Sequence, residues 1–401
     1  MLVTPSLLHV KTRTGRSQQE DAVLLRLQAG TTVDMLDGLT ADQVLGRVDV
    51  PVMRTGPEKT EWQCVRDDHA AMAAAGEWPD LLEALRYTDQ ERIMASGGRR
   101  VAPLISEGMR SGLTSAIARA DWTSAVAELA ILEDVCNRNS KDYCAAQILA
   151  QAHVDLANAK RSPTAAQLSR NAWAEAAAHY AAAEDLVTRF DPIEEMSPML
   201  AATRYALVPG IEDGGAVCRD WYEDWVDLDP EDAEAHAAHA VNMLPGWYGS
   251  LAAFEREARR AVRMTEGVTG KAAYAIFHIA AVEAFGDLSP TLDHEVFFEA
   301  LGDYQSTTGC QIRANVAAHL LADMAMGFRK AGPTAAWHLT KTRAALSDVL
   351  WNRLREIQLD CWDSGNQTLA FAMAEVFGPA LKRGARIVRR GDGLGTLVRR
   401  T

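Results

Sequence analysis

His236 and His239 stand three residues apart in an Ala-rich stretch, with Glu234 beside them. A helix there puts both imidazoles on one face, where a divalent metal takes nitrogen ligands. Two ligands do not make a site. A third would have to come from elsewhere, such as Asp293 or His294, and nothing in the spacing brings either near. The expectation is one packed and one solvated histidine, with no metal. Gly267-Val-Thr-Gly270-Lys271 has the sound of a phosphate loop, but that motif needs Gly at Thr265 and Ser or Thr at Ala272. It reads as a helix boundary. Gly391-Asp-Gly393-Leu-Gly395 lacks the spacing and strand of a dinucleotide site, and Gly108-Met-Arg-Ser111-Gly112 lacks the spacing of a nucleophile elbow. The sequence therefore points to no catalytic residue and no cofactor. A carboxylate pair for glycoside hydrolysis depends on a three-dimensional separation and stays open.

The pattern with the most chemistry in it is electrostatic. Between Glu184 and Glu234 there are 15 acids against Arg189, Arg204 and Arg219, nearly the whole surplus behind the chain's net charge of −13. The densest part, Asp220 to Glu234, interleaves eight acids with Trp221, Tyr222 and Trp225. Trp221 and Trp225 are four apart and share a helical face. Aromatic rings beside carboxylates hold a Lys or Arg head by cation–π contact and charge together. Asp220, Trp221, Tyr222, Glu223, Asp224 and Trp225, with Trp247 and Tyr248 in the next turn, are the predicted docking surface for a basic peptide. The competing interpretation makes Trp221 and Trp225 core and the acids the solvated side of an amphipathic helix.

The elements that must position these residues are helices. The chain of 401 residues is 48% hydrophobic, 24% charged and 7% aromatic, values of an ordinary globular protein. Its net negative charge repels a phosphate backbone, so nucleic acid is not an expected partner. Six cysteines without a C-x-x-C pair fit a reducing, cytoplasmic compartment. Met1 to Val10 has no signal-peptide pattern, and the longest nearly apolar stretch, Ala272 to Phe285, is too short to span a bilayer and reads as a buried helix. From about Val101 onward, Ala- and Leu-rich segments with apolar spacings of three and four predict an all-α fold. Helices are expected near 61–75, 101–119, 122–136, 142–158, 165–189, 215–228, 231–244, 251–264, 271–285, 312–329, 334–348, 350–361 and 367–378. Pro at the first helical position after Ser162, Ser197, Asp229, Ser289 and Gly332 supports these starts, as do capping boxes at Thr60-x-x-Gln63 and Ser364-x-x-Gln367. Residues 1–100 are less regular, with Gly30-Thr31-Thr32, Asp37-Gly38 and Gly97-Gly98, and read as a cap or small module. From Leu381 the chain carries seven basic residues, Lys382, Arg383, Arg386, Arg389, Arg390, Arg399 and Arg400, against Asp392 alone, and reads as a flexible basic tail able to compete for the acidic face.

Ala118-Arg-Ala-Asp121-Trp122-Thr-Ser-Ala125-Val-Ala-Glu-Leu129 resembles the turn and second helix of a tetratricopeptide repeat, where an aromatic precedes a small residue that lets helices approach. Trp173, Ala177 and Tyr180 with Phe190-Asp191-Pro192 look like a second copy. Leu228-Asp229-Pro230 through Trp247, Phe254, Ala258 and Ala261 look like a third, and Ala318, Gly327, Ala335 and Trp337 like a fourth. The resemblance implies a degenerate tetratricopeptide-like (TPR-like) superhelix over 101–380, an α-solenoid acting as a protein-interaction adaptor without chemistry of its own. Alternatives are an irregular α bundle, an α/α toroid hydrolase with a carbohydrate cleft, or a purely structural subunit with exposed apolar patches.

Overall fold

The computed structural model describes residues 36, 38–161, 171–286, 291–306, 310–362 and 366–398. The expected features at Met1–Val10, Gly30-Thr31-Thr32, Asp37, Ser162-Pro163, Ser289-Pro290, Ser364, Arg399 and Arg400 lie outside the described residues. The fold is all-α with a little sheet, and the chain divides into two compact units. Of the described residues, 61–292 form one unit; 36–60 with 293–398 form the other. The divisions do not fall at 100 and 380. Residues 61–100 belong with the helices that follow, because Arg100 and Arg92 are tied to residues near 229, as described below.

In the first unit, which takes the helix Pro57–Ala75 from Glu61 on, the elements that follow are Trp78–Gln90, Val101–Met109, Ser111–Ala118, Trp122–Arg138, Tyr143–Arg161, Ala172–Val187, Pro198–Tyr205, Gly214–Leu228, Ala233–Asn242, Leu251–Thr269 and Ala272–Phe285. Ser197 caps its proline-started helix, its Oγ accepting from Leu200 N at 3.0 Å. Asp121 caps Trp122–Arg138 through Ser124 N at 3.1 Å. Gly270, at φ 59°, separates Leu251–Thr269 from the next helix, so Gly267–Lys271 is the helix boundary expected. Other starts differ from expectation. The first helix begins at Pro57, and Thr60 lies inside it with its hydroxyl donating to the Gly56 carbonyl; the capping box of this kind is Thr40-x-x-Gln43. The helix after Asp229-Pro230 begins at Ala233 with Asp232 as cap, because Arg100 takes the Asp229 carboxylate. The single helix expected over 101–119 breaks at Arg110, and Trp78–Gln90 and, in the other unit, His294–Ser306 were not anticipated.

The small residues of the repeat resemblance are partly where a close crossing needs them. Ala125, Ala258 and Ala261 are fully buried, as is the large Phe254 of the same pattern. In Ala172–Val187 the buried stripe is Ala176, Tyr180 and Ala183, whereas Trp173 and Ala177 face solvent, with the Arg161 guanidinium over the Trp173 ring. His153 of Tyr143–Arg161 meets His179 of the same neighbouring helix, Nδ1 to Nδ1, at 2.9 Å.

The second unit packs Ala41–Leu45, His294–Ser306, Gln311–Ala331, Ala336–Asn352 and Gln367–Lys382 with two small sheets. Asn315 organises it. Its Oδ1 accepts from Gln358 N and Trp362 Nε1, and its Nδ2 donates to the Gln311 and Glu356 carbonyls, which satisfies a fully buried amide. Glu58, which belongs to this unit, accepts from Gln311 N and Gln358 Nε2, both at 2.9 Å. The helix expected over 350–361 is instead the end of Ala336–Asn352, then the strand Ile357–Gln358, which pairs in parallel with Val52–Met53.

The flexible tail expected from 381 is corrected as far as Val398. Arg386–Arg390 and Gly393–Leu397 form an antiparallel hairpin, with Val48–Asp49 added in parallel to its first strand. Ile387 and Leu394 point into the unit, while Arg389 and Arg390 stay in water. Gly391, at φ 59°, starts the two-residue turn. Gly393 lies so close to the end of Ala336–Asn352 that a Cβ would meet the Trp351 carbonyl oxygen at 1.9 Å. Among the described residues no helix is long and apolar enough to cross a membrane.

Candidate functional site

The helix Gly214–Leu228 carries most of the predicted surface, and its position is fixed at the C-terminal end. Arg92 Nε donates to the Leu228 carbonyl at 2.6 Å, a cation where the helix dipole is negative. Arg100 clamps Asp229 with two bonds of 2.6 and 2.5 Å, and its Nη1 donates to the Arg92 carbonyl. The flanking helix Pro198–Tyr205 is held at its start by Asp89, which accepts from Met199 N at 2.9 Å, Tyr143 Oη at 3.1 Å and the Ser197 hydroxyl.

Two predicted aromatic anchors turn inward. Tyr222 is fully buried, donates to His236 Nδ1 at 2.7 Å and stacks on His239 with centroids 4.0 Å apart. Trp225 is 5% exposed and its Nε1 donates to Asp232 Oδ2 at 3.0 Å. Both are core, because a fifteen-residue helix with one buried stripe takes its largest apolar groups inward. Trp221 lies at the edge of that stripe, half-buried, with the Arg204 guanidinium carbon 4.8 Å from its ring centroid. Arg204 also approaches Asp224 Oδ2 at 3.5 Å. Glu223 pairs with Arg260, while Asp220 is exposed. Trp247 is half-buried. Tyr248 donates to the Val208 carbonyl at 3.1 Å and rests on Gly214 and Gly215, at the other end of the helix, about 10 Å along the axis from Trp221.

What the structure does bring together is carboxylates. Burial raises the Asp224 carboxyl above its ordinary range, Arg204 opposes this, and Asp191, Asp227 and Asp220 push it further up. Asp191 comes from the turn before Pro198–Tyr205, where its side chain accepts from Ile193 N at 2.7 Å. That turn leaves Ile193 and Met196 about half exposed beside Glu194. Sequence reading missed these two apolar residues; the available signal was a loop, Asp191-Pro192-Ile-Glu-Glu-Met, that alternates apolar groups with acids.

His236 and His239 are both buried, so neither is the solvated member expected of such a pair. Their Nδ1 atoms accept from Tyr222 and Tyr205, whose hydroxyls burial holds far above their usual range. Asn242 Nδ2 donates to Tyr205 Oη, and His239 Nε2 faces Glu257 at 3.4 Å. Burial pushes Glu257 up, but His239, Arg219 and Arg256 outweigh it and hold the carboxyl below its usual value. His236 falls to about 4, from burial first and His239 second. Asp293 and His294 belong to the other unit, and among the described residues no group of three His, Cys, Asp or Glu is arranged to hold a metal. Asp232 is pushed up to about 7 by burial and then by Glu234 and Asp229. It already accepts from Trp225 and from Glu234 N, and Glu234 is paired with Arg99, so both carboxylates serve the helix junction.

The arrangement can attract cations and stack a planar one. Compared with models of known families, with curated proteins and with solved structures, the chain finds no match in any of the three.

Proposed function

We propose that this chain is a protein-interaction adaptor that binds a basic peptide on the surface made by Asp191–Met196 and the outer side of Gly214–Leu228. The observation that carries the reading is that Asp191, Asp220 and Asp227 all act on the Asp224 carboxylate, which burial chiefly raises and which Arg204 approaches at 3.5 Å. A surface with unanswered charge of one sign steers a partner of the other sign and sets its register. Ile193, Met196 and the rim of Trp221 supply apolar contact beside that charge, in place of the buried Tyr222 and Trp225. Consecutive helices that pack on each other, such as Ser111–Ala118 with Trp122–Arg138, Tyr143–Arg161 with Ala172–Val187 and Leu251–Thr269 with Ala272–Phe285, are the kind of pair from which the TPR-like frame we propose is built.

The test is a titration of a labelled Arg/Lys-rich peptide at low and high salt, by fluorescence anisotropy. Both Asp220 and Asp227 are exposed, so the Asp220→Lys/Asp227→Lys variant should keep its fold. It is expected to bind about tenfold more weakly than the wild type at low salt, with a shallower salt dependence. Absence of salt-sensitive binding to the wild-type protein at low salt would remove the reading. Trp225→Ala is no control, since that side chain is core and its ring nitrogen holds Asp232.

A further inference from the structure

We propose that Arg204 is a resident stand-in for an arginine of the partner: it occupies the guanidinium seat formed by the Trp221 ring and the Asp224 carboxylate, and it gives way when a peptide arginine arrives. The proposal rests on the docking reading above and adds to it a preference for arginine over lysine.

The seat is more than a collection of acids, because a guanidinium already sits in it. Arg204 lies over the indole at 4.8 Å and approaches Asp224 at 3.5 Å. How loosely it is held shows against the molecule's own locked pair. Arg100 and Asp229 make two short bonds with side chains 9% and 1% exposed. Arg204 and Asp224 make one long contact with side chains 35% and 40% exposed, where an ion pair contributes little. Asp191, Asp220 and Asp227 also act on Asp224 as like charges, and Arg204 is the cation that opposes them there. An incoming arginine can therefore take the ring and the carboxylate while Arg204 swings toward the remaining acids, at little electrostatic cost. The seat selects arginine for the reason Arg204 fits it: a planar guanidinium stacks on indole and bonds a carboxylate in the same pose, whereas a strongly hydrated ammonium does neither as well.

The deciding variant keeps the charge. Arg204→Lys leaves the same cation count and a similar stem but a weaker occupant of the seat, and Arg204→Ala serves as the second variant. Each is titrated at low salt with an arginine-rich decapeptide and with the same peptide carrying lysines. The wild type is expected to favour the arginine peptide. Arg204→Lys is expected to bind it about fivefold tighter than the wild type, with the lysine peptide little changed. Arg204→Ala should gain on both peptides through charge, and more on the arginine one. Wild-type binding with no arginine-selective gain in either variant overturns the stand-in and leaves the docking surface intact. Absence of binding by wild type and variants alike overturns both readings.

Discussion

Methionine in place of Arg100 is expected to cost about 3–5 kcal/mol of stability, because it breaks a buried ion pair. Arg100 directly precedes Val101–Met109 and reaches across to residue 229, where two of its nitrogens hold a carboxylate that is 1% exposed. Removing the cation leaves that carboxylate in a nearly dry site with Glu231 N, at 3.3 Å, as its remaining close donor. The cost is the desolvation of an unpaired ion and not the net worth of the pair. Adding Asp229→Asn to Arg100→Met removes the stranded charge but keeps an acceptor, and should recover more than half of the loss. Urea unfolding at pH 7 of wild type, both single variants and the double variant measures this. A loss below about 1 kcal/mol for Arg100→Met would show that water reaches Asp229 and that the clamp does not position Gly214–Leu228.

The helices were legible where a local signal decides them. Ser197-Pro198 and Asp121 start helices because a side-chain oxygen meets the free N–H groups one turn on, a relation contained within four residues. Asp229-Pro230 misled because the same carboxylate has a distant suitor, Arg100, 129 residues away, which outbids a local cap. Trp221, Tyr222 and Trp225 illustrate the same limit. Their spacing marks an amphipathic helix, but which aromatic faces inward depends on His236, His239 and Asp232, all from the following segment. The hairpin over 386–397 was hidden by composition, since five basic residues and four glycines between 382 and 395 look like linker unless Ile387 and Leu394, one on each strand, are recognised as its inward face. Met196 and Ile193 escaped because an exposed loop residue has no periodicity to announce it.

Acid should loosen the first unit through His153, and the direction follows from where the proton goes. Burial, and secondarily the neighbouring His179, lowers His153 to about 4. His179 is lowered too, by burial and then Lys160, with Glu175 opposing. The 2.9 Å contact between the two Nδ1 atoms needs a hydrogen on one and a lone pair on the other, so a second proton there turns an attraction into a repulsion. An unfolded histidine takes its proton near pH 6.5, which the folded His153 refuses until about pH 4. Stability is thus full above pH 6.5 and is lost as pH falls through that window, by about 2–3 kcal/mol at pH 4.5. His236 acts in the same direction. Asp89 acts in the opposite one, because burial raises it to about 6 and the folded state then binds a proton the unfolded chain still declines. A wild-type pH profile is therefore a sum, and His153→Gln isolates one part of it. The glutamine amide can still bond His179 but cannot titrate. At pH 7.5 the variant is expected to lose about 1 kcal/mol for imperfect replacement of a buried contact. Between pH 7.5 and 4.5 it should lose about 2 kcal/mol less than the wild type, read as amide hydrogen exchange of Tyr143–Arg161 corrected for intrinsic rates. Equal losses in the two proteins would show that His153 already shares a proton with His179 at neutral pH, and the pair would then hold the two helices together as a charged bridge.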